Sequence, residues 1–184
     1  MRLKLHHHAQ KDSYSCGLRS ACTVYGYYSV TTSRLREKLK LIKFRAFPEF
    51  MSGTLPWDYL RCLACDGFQF KATHVDRRSL SALRRSMDRG HPGILLTGTS
   101  LADLHWTVIG GYNYRGYSIM DSRVEGGWRI QSEESISDSG LLLIRLEGWD
   151  GISRALSWRT VYSVIANLPR MGSALLGFAE KRKA

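Results

Sequence analysis

Three residues of this sequence have the side chains and the positions that covalent catalysis at a carbonyl requires. Cys16 opens an amphipathic stretch, His105 comes directly before the apolar run WTVIGG, and Asp121 ends the run YSIMD. A nucleophilic cysteine needs a lowered pKa, a base that handles its proton, and a group that orients that base. These residue types therefore predict a thiolate nucleophile at Cys16 that forms an acyl-enzyme.

The residues around Cys16 predict that it lies at the start of a helix. Apolar side chains three or four positions apart indicate a helix that runs to about Tyr28, and Ser15 stands at the N-cap position. There, the free N–H groups and the helix dipole favour a thiolate. Gly17 would let a substrate carbonyl approach the backbone closely. Gln10 carries a side-chain amide that can donate a hydrogen bond to an oxyanion.

His105 and Asp121 are expected to meet through a hairpin. The runs Trp106–Tyr112 and Tyr117–Asp121 have the composition of strands, and the Asn113–Gly116 segment between them is typical of a turn. Antiparallel pairing brings the start of the first strand beside the end of the second. The Asp121 carboxylate would then hold the His105 imidazole in one tautomer and stabilise its protonated form.

The wider pattern predicts an α+β fold in which helices come first and strands follow. Residues 1–15 are polar and are predicted to form a loop. Helices are predicted at Cys16–Tyr28, around Leu35–Leu39, from Pro56 to near Gly67 and at Ser79–Arg89, and strands at Gly93–Thr97, Trp106–Tyr112, Tyr117–Asp121 and Leu141–Glu147. We expect two packed parts around one cleft.

The segment Gln10–Gly17, with the letters QKDSYSCG, is similar to the start of the bacteriocin-processing peptidases, papain-like enzymes that cut double-glycine leader peptides. Three further features belong to the resemblance: the lead-in Gly90–Pro92 before GILL, the pair His105-Trp106 at the start of an apolar strand, and Asp121 sixteen residues later. The resemblance implies a papain-like fold. In that fold an N-terminal helical part carries the nucleophile and packs against a C-terminal antiparallel sheet.

The same resemblance implies a role for each residue and an activity. Cys16 would be the nucleophile, His105 the base and Asp121 the group that orients the base. Gln10 would build the oxyanion hole. The expected activity is that of a cysteine endopeptidase that cleaves a peptide or protein substrate, and no metal or cofactor is expected.

The sequence departs from the family pattern in three places. Leu18-Arg19 follow the Cys-Gly pair where the family usually has Pro-Ala, and Ser122-Arg123 follow the predicted acid where the family usually has proline. In addition, no transporter segments follow the domain. We therefore expect a stand-alone peptidase that acts on something other than a leader peptide.

Length and composition bear on the number of domains and on the class of partner. A chain of 184 residues, 43% of them hydrophobic, can form one domain with a real core. We predict a peptidase domain over residues 1–150 and a basic amphipathic helical tail over residues 151–184. The 27 Lys and Arg residues outnumber the 16 Asp and Glu residues, which favours acidic partners. We expect the tail to contact a membrane surface or an acidic protein, whereas no motif indicates a specific nucleic acid.

The cysteines bear on the cellular compartment. Four cysteines are too few for a disulfide scaffold, and the sequence shows neither a secretory signal nor a run of about 18 apolar residues. We expect a cytoplasmic protein, peripheral at a membrane where the tail binds one. Cys62 and Cys65 form a CxxC pair in a predicted helix, and we interpret them as core residues rather than as half of a zinc site.

Two alternatives to a peptidase stay open. The same triad can release ammonia from a glutamine side chain or transfer an acyl group, so the residues are compatible with a deamidase or an acyltransferase. The second alternative is a non-enzymatic peptide-binding module on a degenerate peptidase fold. The presence of all four active-site residue types favours an enzyme.

Overall fold

A six-stranded antiparallel sheet with helices packed on both faces forms the core of the fold. The computed structural model describes residues 1–12, 15–33, 35–39, 42–43, 52–98 and 104–155. The helices are α1 (Cys16–Tyr27), α2 (Leu35–Lys38), α3 (Pro56–Cys65), α4 (Arg77–Asp88) and α5 (Glu133–Ser139), and the strands are β1 (Ile42–Lys43), β2 (Ser52–Gly53), β3 (Phe68–Thr73), β4 (Gly93–Thr97), β5 (His105–Asn113), β6 (Gly116–Met120), β7 (Trp128–Gln131) and β8 (Gly140–Trp149). The predicted tail helix lies outside the described residues, so the domain boundary at residue 150 stays a prediction.

The strand order in the large sheet is β3-β8-β4-β5-β6-β7, and every neighbouring pair is antiparallel. The α+β class and the C-terminal antiparallel sheet are confirmed, and the four predicted strands correspond to β4, β5, β6 and β8. Five described elements go beyond the sequence prediction: β3 and β7, which form the two edges of the large sheet, the short helix α5, and the two-residue strands β1 and β2. The sheet is therefore wider than the apolar runs alone indicate.

Side-chain alternation along the central strands divides the core between the two faces. Ile94 and Leu96 of β4 belong to the apolar cluster that packs on α1 and α3, whereas Leu95 belongs to the cluster that packs on α4 and α5. Because β4 is buried on both faces, its sequence GILLT is continuously apolar. No helix within the described ranges is long and apolar enough to cross a membrane.

Helix α1 begins at Cys16, as predicted, but its N-terminus is held differently. Ser15 occupies the N-cap position, yet its hydroxyl makes no capping hydrogen bond. With φ −88° and ψ 10°, Ser15 lies outside the extended conformation in which an N-cap side chain reaches the first-turn N–H groups. Instead, the Asp12 carboxylate accepts the Ser15 N–H at 2.6 Å. A residue of the preceding loop therefore fixes the start of the helix.

Strands β5 and β6 form the predicted hairpin, closed by a two-residue turn between the paired residues Asn113 and Gly116. The ladder has one irregularity at Gly110, where β5 carries one residue more than β6. A Cβ at Gly110 would overlap the side chains of Leu5 and Trp128, so this bulge requires glycine. The hairpin thus combines a tight turn with a bulge against the N-terminal segment.

The N-terminal segment, predicted to be a polar loop, is docked on the domain. The Leu3 N–H donates to the Gly110 carbonyl at 2.7 Å, on the part of β5 that β4 leaves unpaired. Further along, the Thr23 hydroxyl donates to the His6 carbonyl at 3.1 Å. The segment therefore follows a defined path from β5 towards the start of α1, and it carries Gln10 with it.

Gly17 provides a test of the packing at the start of α1. A Cβ at Gly17 would overlap the side chain of Thr54, whereas a Cβ at Gly26 in the same helix meets nothing within 4 Å. We expect Gly17→Ala to lower the free energy of unfolding by about 1–3 kcal/mol, because Thr54 must be forced away. Gly26→Ala, the matched control, should raise it by about 0.5–1 kcal/mol. Urea unfolding measures both changes, and equal shifts would contradict close packing of Thr54 on Gly17.

Candidate active site

Cys16 is the first residue of α1, and only 4% of its surface is exposed. Thr54 packs over the neighbouring Gly17, and the Trp106 indole N–H donates to the Thr54 carbonyl at 2.8 Å. The backbone N–H of Trp106 lies near the Cys16 thiol and lowers its pKa. The thiol is therefore enclosed by the start of β5 and by the segment that precedes α3.

His105 opens β5, and its two ring nitrogens face different partners. The distance between His105 Nε2 and Asp121 Oδ1 is 2.6 Å, and both side chains are buried. The other nitrogen, Nδ1, has no hydrogen-bond partner among the described residues. Nδ1 is therefore the atom available to the Cys16 thiol, and the two groups shift each other's pKa.

Asp121 is held by more than the imidazole. Its Oδ1 also accepts the Arg123 backbone N–H at 3.0 Å, and its Oδ2 lies 2.9 Å from Arg129 Nε. The Asp121 N–H donates to the Gly127 carbonyl at 2.6 Å, so the chain between β6 and β7 folds around the carboxylate. Since Arg129 belongs to β7, the edge strand supplies a cation to the third member of the predicted triad.

The pKa of Cys16 is lower than that of an ordinary cysteine although the thiol is buried. Burial raises the pKa, but the nearby His105 imidazole and the Trp106 backbone N–H outweigh burial and favour the thiolate. The positive charges of His105 and Arg123 act in the same direction. The net effect of the surroundings is to activate this sulfur.

The pKa values of His105 and Asp121 are shifted in the directions that favour an ion pair between them. Burial lowers the pKa of His105, but the hydrogen bond to Asp121 and the nearby Cys16 thiol outweigh burial and raise it. The pKa of Asp121 falls to about 2, because the His105 hydrogen bond, the Arg123 N–H and the Arg129 charge outweigh the effect of burial. The geometry therefore favours a thiolate–imidazolium pair beside an ionised carboxylate, the charge state that a nucleophilic cysteine requires.

Gln10 is tied to both sides of the site. Its Nε2 donates to the Asp12 carbonyl, and the Asp12 carboxylate accepts the N–H of Ser15, which directly precedes Cys16. Its Oε1 accepts the Ser122 hydroxyl at 2.9 Å, and its backbone N–H donates to the Ser122 carbonyl at 2.9 Å. Gln10 therefore bridges the loop before α1 and the residue that follows Asp121. A part in an oxyanion hole stays a prediction.

Arg129, Thr54 and Ser122 contact the site but are not among the residues predicted from the sequence. Arg129 reaches Asp121 across two strands, and Thr54 reaches Gly17 from a distant loop, so neither contact has a local signature. For Ser122 a signal exists, because serine stands where the resembling family usually has proline.

Cys62 and Cys65 lie outside the site, one turn apart in α3. Cys62 is buried with its sulfur 3.2 Å from the Tyr25 hydroxyl, and burial raises its pKa to about 11. Cys65 is exposed, and all four cysteines of the chain are free. Within the described ranges, no three His, Cys, Asp or Glu side chains are grouped to hold a metal ion.

The Arg129–Asp121 pair predicts how acid acts on the site. The depressed pKa of Asp121 contributes stability that is present above the ordinary value of 3.8 and is lost as pH falls towards about 2. In Arg129→Met the Asp121 pKa should rise, so this loss should begin at a higher pH. A ¹³C NMR titration of the Asp121 carboxyl measures the pKa directly, and urea unfolding between about pH 2 and pH 5 measures its effect on stability.

Arg115→Met is the matched control for this prediction, because it removes the same charge from an exposed residue that stacks on Tyr114. It should leave the Asp121 pKa unchanged. The same Asp121 pKa in wild type and in Arg129→Met would show that Arg129 does not hold the carboxylate.

Comparisons with known proteins bear on the fold. Neither family models nor curated proteins give a match. The peptidase domain of Streptococcus ComA, a bi-functional ABC transporter involved in a quorum-sensing pathway, is similar with a TM-score of 0.59 and 22% identity, over 78% of this chain and 96% of that chain. A double-glycine motif protease from an AMS/PCAT transporter, in complex with the leader peptide, has a TM-score of 0.52 and 17% identity, over 79% and 94%. A C39-like peptidase from Bacillus anthracis has a TM-score of 0.56 and 12% identity, over 80% and 96%.

The similarity spans almost the whole of each compared domain, whereas the sequence identities are low, so the likeness concerns the fold. In this chain the helix that begins with Cys16 packs on a face of an antiparallel sheet whose strand β5 begins with His105. The resemblance carried by QKDSYSCG is thereby confirmed at the level of architecture. This chain has the papain-like fold of the double-glycine peptidase domains.

Proposed function

We propose that this chain is a cysteine peptidase that cleaves a peptide or protein substrate. The observation that carries the proposal is the buried contact between His105 and Asp121 beside a Cys16 thiol whose pKa is lowered. A cysteine that serves only as core has a raised pKa, as Cys62 does in the same domain. The fold shared with peptidase domains supports the same assignment.

In the proposed reaction the Cys16 thiolate attacks the carbonyl carbon of an amide and forms a tetrahedral oxyanion. The first-turn N–H groups of α1 have no acceptor within the helix and would stabilise the oxyanion, together with a side-chain N–H of Gln10. As the C–N bond breaks, the His105 Nδ1 proton passes to the leaving amine, and a thioester remains on Cys16. Water then attacks the thioester and gives a proton to His105, which frees the carboxylate product and restores the thiolate.

Asp121 and Arg129 act in this scheme through the imidazole. The Asp121 carboxylate occupies Nε2 and so directs Nδ1 towards the sulfur. The Arg129 charge contributes to the low pKa of this carboxylate and so supports its ionised form beside the imidazolium. Neither residue needs to contact the substrate to support the reaction.

A peptide segment is the proposed substrate class. The double-glycine motif protease with a similar fold is in complex with a leader peptide, which supports a peptide rather than a small molecule. The net charge of +11 favours an acidic substrate or partner, and the predicted basic tail would add to this preference. The four free cysteines support a reducing cytoplasm as the place of action.

Alkylation provides the first test of the activated thiol. Iodoacetamide should label Cys16 selectively at about pH 6, because its thiolate forms below the ordinary pKa of 9.0. Labelling of Cys22 and Cys62, whose pKa values are raised by burial, should appear only at higher pH. In His105→Ala the burial of Cys16 persists while its main stabilising partner is lost, so the selective labelling should disappear. Slow and equal labelling of all four cysteines at about pH 6 would contradict the proposal of an activated thiol at Cys16.

Product analysis tests the reaction type. Wild-type protein incubated with a peptide library should give pairs of fragments whose masses sum to one peptide plus water, and Cys16→Ala should lower the yield by about 1000-fold or more. Peptides of unchanged length in which an amide has become an acid would indicate a deamidase, and acyl adducts would indicate a transferase. Identical products from wild type and Cys16→Ala would rule out peptidase chemistry at this site.

A further inference from the structure

Ser122 joins the two halves of the candidate site through a pair of hydrogen bonds to one residue. Its hydroxyl donates to Gln10 Oε1 at 2.9 Å, and its carbonyl accepts the Gln10 backbone N–H at 2.9 Å. Ser122 is 9% exposed and directly follows Asp121 in the chain. The position of the Gln10 side chain is therefore coupled to the position of the triad carboxylate.

The contacts define which way the Gln10 amide faces. The Asp12 carbonyl can only accept a hydrogen bond, so the amide nitrogen Nε2 must face it. The amide oxygen Oε1 then faces Ser122, whose hydroxyl must donate. An amide nitrogen carries two hydrogens, and the second N–H of Nε2 has no partner among the described residues. Ser122 thus holds the amide in an orientation that leaves one N–H of Nε2 without a partner in the described part of the chain.

We propose that Ser122 is a positioning residue for the oxyanion hole: its hydroxyl holds Gln10 Oε1, so that the unused Nε2 donor stabilises the oxyanion formed at Cys16. This inference rests on the proposed peptidase function. Without the hydroxyl, Gln10 Oε1 loses its only side-chain donor in the described part of the chain, and the amide can rotate away from this orientation. Proline at this position, the usual residue in the resembling family, could not make the contact because it has no hydroxyl.

If Ser122 only anchored the N-terminal segment, loss of another anchor of that segment should have the same effect on activity. The Thr23 hydroxyl lies 3.1 Å from the His6 carbonyl of the same segment and shares its proton with the Arg19 carbonyl of α1, also at 3.1 Å. Thr23→Val removes that anchor with little change in volume and leaves Gln10 untouched. It is therefore the matched control for a loss of anchoring.

The experiment uses the p-nitrophenyl ester of N-benzyloxycarbonylglycine as an acylating probe, whose hydrolysis passes through a thioester and two oxyanions. Ser122→Ala should lower kcat/KM by about 10-fold, less than the loss of about 100-fold or more that removal of an oxyanion donor causes, because the Gln10 amide is still present. The rate and pH dependence of Cys16 alkylation by iodoacetamide should be unchanged, since displacement of iodide forms no oxyanion. Ser122→Thr should restore most of the activity, and Thr23→Val should behave like wild type.

The double variant Gln10→Ala with Ser122→Ala completes the test. Because Ser122 acts through Gln10, the double variant should have the kcat/KM of Gln10→Ala alone. The inference is overturned if Ser122→Ala keeps the wild-type kcat/KM, if its effect persists in the Gln10→Ala background, or if alkylation and thermal stability fall together with activity. Hydrolysis that is the same in wild type and Cys16→Ala would overturn the proposed function, and the inference with it.

Discussion

The buried pair of His105 and Asp121 is the interaction on which the rest of the site depends. Two charges removed from water are stable only when their remaining hydrogen-bonding capacity is used. Asp121 meets part of this condition through Oδ1, which has two donors, while Oδ2 forms an ion pair with Arg129. The Arg129 side chain is 35% exposed, so this cation keeps contact with water while its charge acts on a carboxylate that does not. The edge strand β7 and the chain that leads into it are therefore part of the site, although they carry none of the reacting atoms.

The pKa of the Cys16 thiol depends on the same pair, through the imidazole of His105. A buried sulfur remains protonated at neutral pH where burial outweighs the charges around it, as the raised pKa of Cys62 illustrates. The pKa of Cys16 is lowered instead, because its helix starts beside the His105 imidazole, whose protonated form Asp121 stabilises, and beside the Trp106 backbone N–H. Packing of α1 on β5 and charge at the end of β5 are thus two aspects of one arrangement. The helix places the sulfur, and the hairpin sets its protonation.

The sequence predicts the parts of this fold that have local patterns. The hairpin and the four central strands follow from apolar runs, and hairpin geometry predicts that His105 lies near the end of the next strand. The bulge at Gly110, which puts the two side chains on one side of the sheet, is not predicted. Strand β3 is missed although Phe68, Phe70 and Ala72 alternate with polar residues, because the preceding helix pattern and the short length hide the change of period. Strand β7 is an edge strand with only partly buried or exposed side chains, so it lacks an apolar signal.

The contacts that complete the candidate site could not be predicted in the same way. Arg129 is assigned to Asp121 only when the register of β7 on β6 is known, and Gln10 is assigned to Ser122 only when the path of the N-terminal segment is known. Both are contacts between segments whose relative placement depends on the complete sheet. The contacts at the start of α1 could not be predicted either. The backbone angles of Ser15 keep its hydroxyl from capping the helix, and the Asp12 carboxylate in the preceding loop accepts the Ser15 N–H instead.

The bulge at Gly110 decides whether the side chains of His105 and Asp121 lie on the same side of the sheet. Continuing the register of Val108 and Met120 outward, position 105 faces position 123, two residues past Asp121, and residues two apart lie on the same side of a sheet. An unbulged ladder from the same turn would place position 105 opposite position 124 and send the imidazole and the carboxylate to opposite sides. In related chains the residues between the histidine and the aspartate can therefore diverge and the turn can lengthen. A change of one residue within the ladder, however, breaks the pair even where every side chain of the triad is kept.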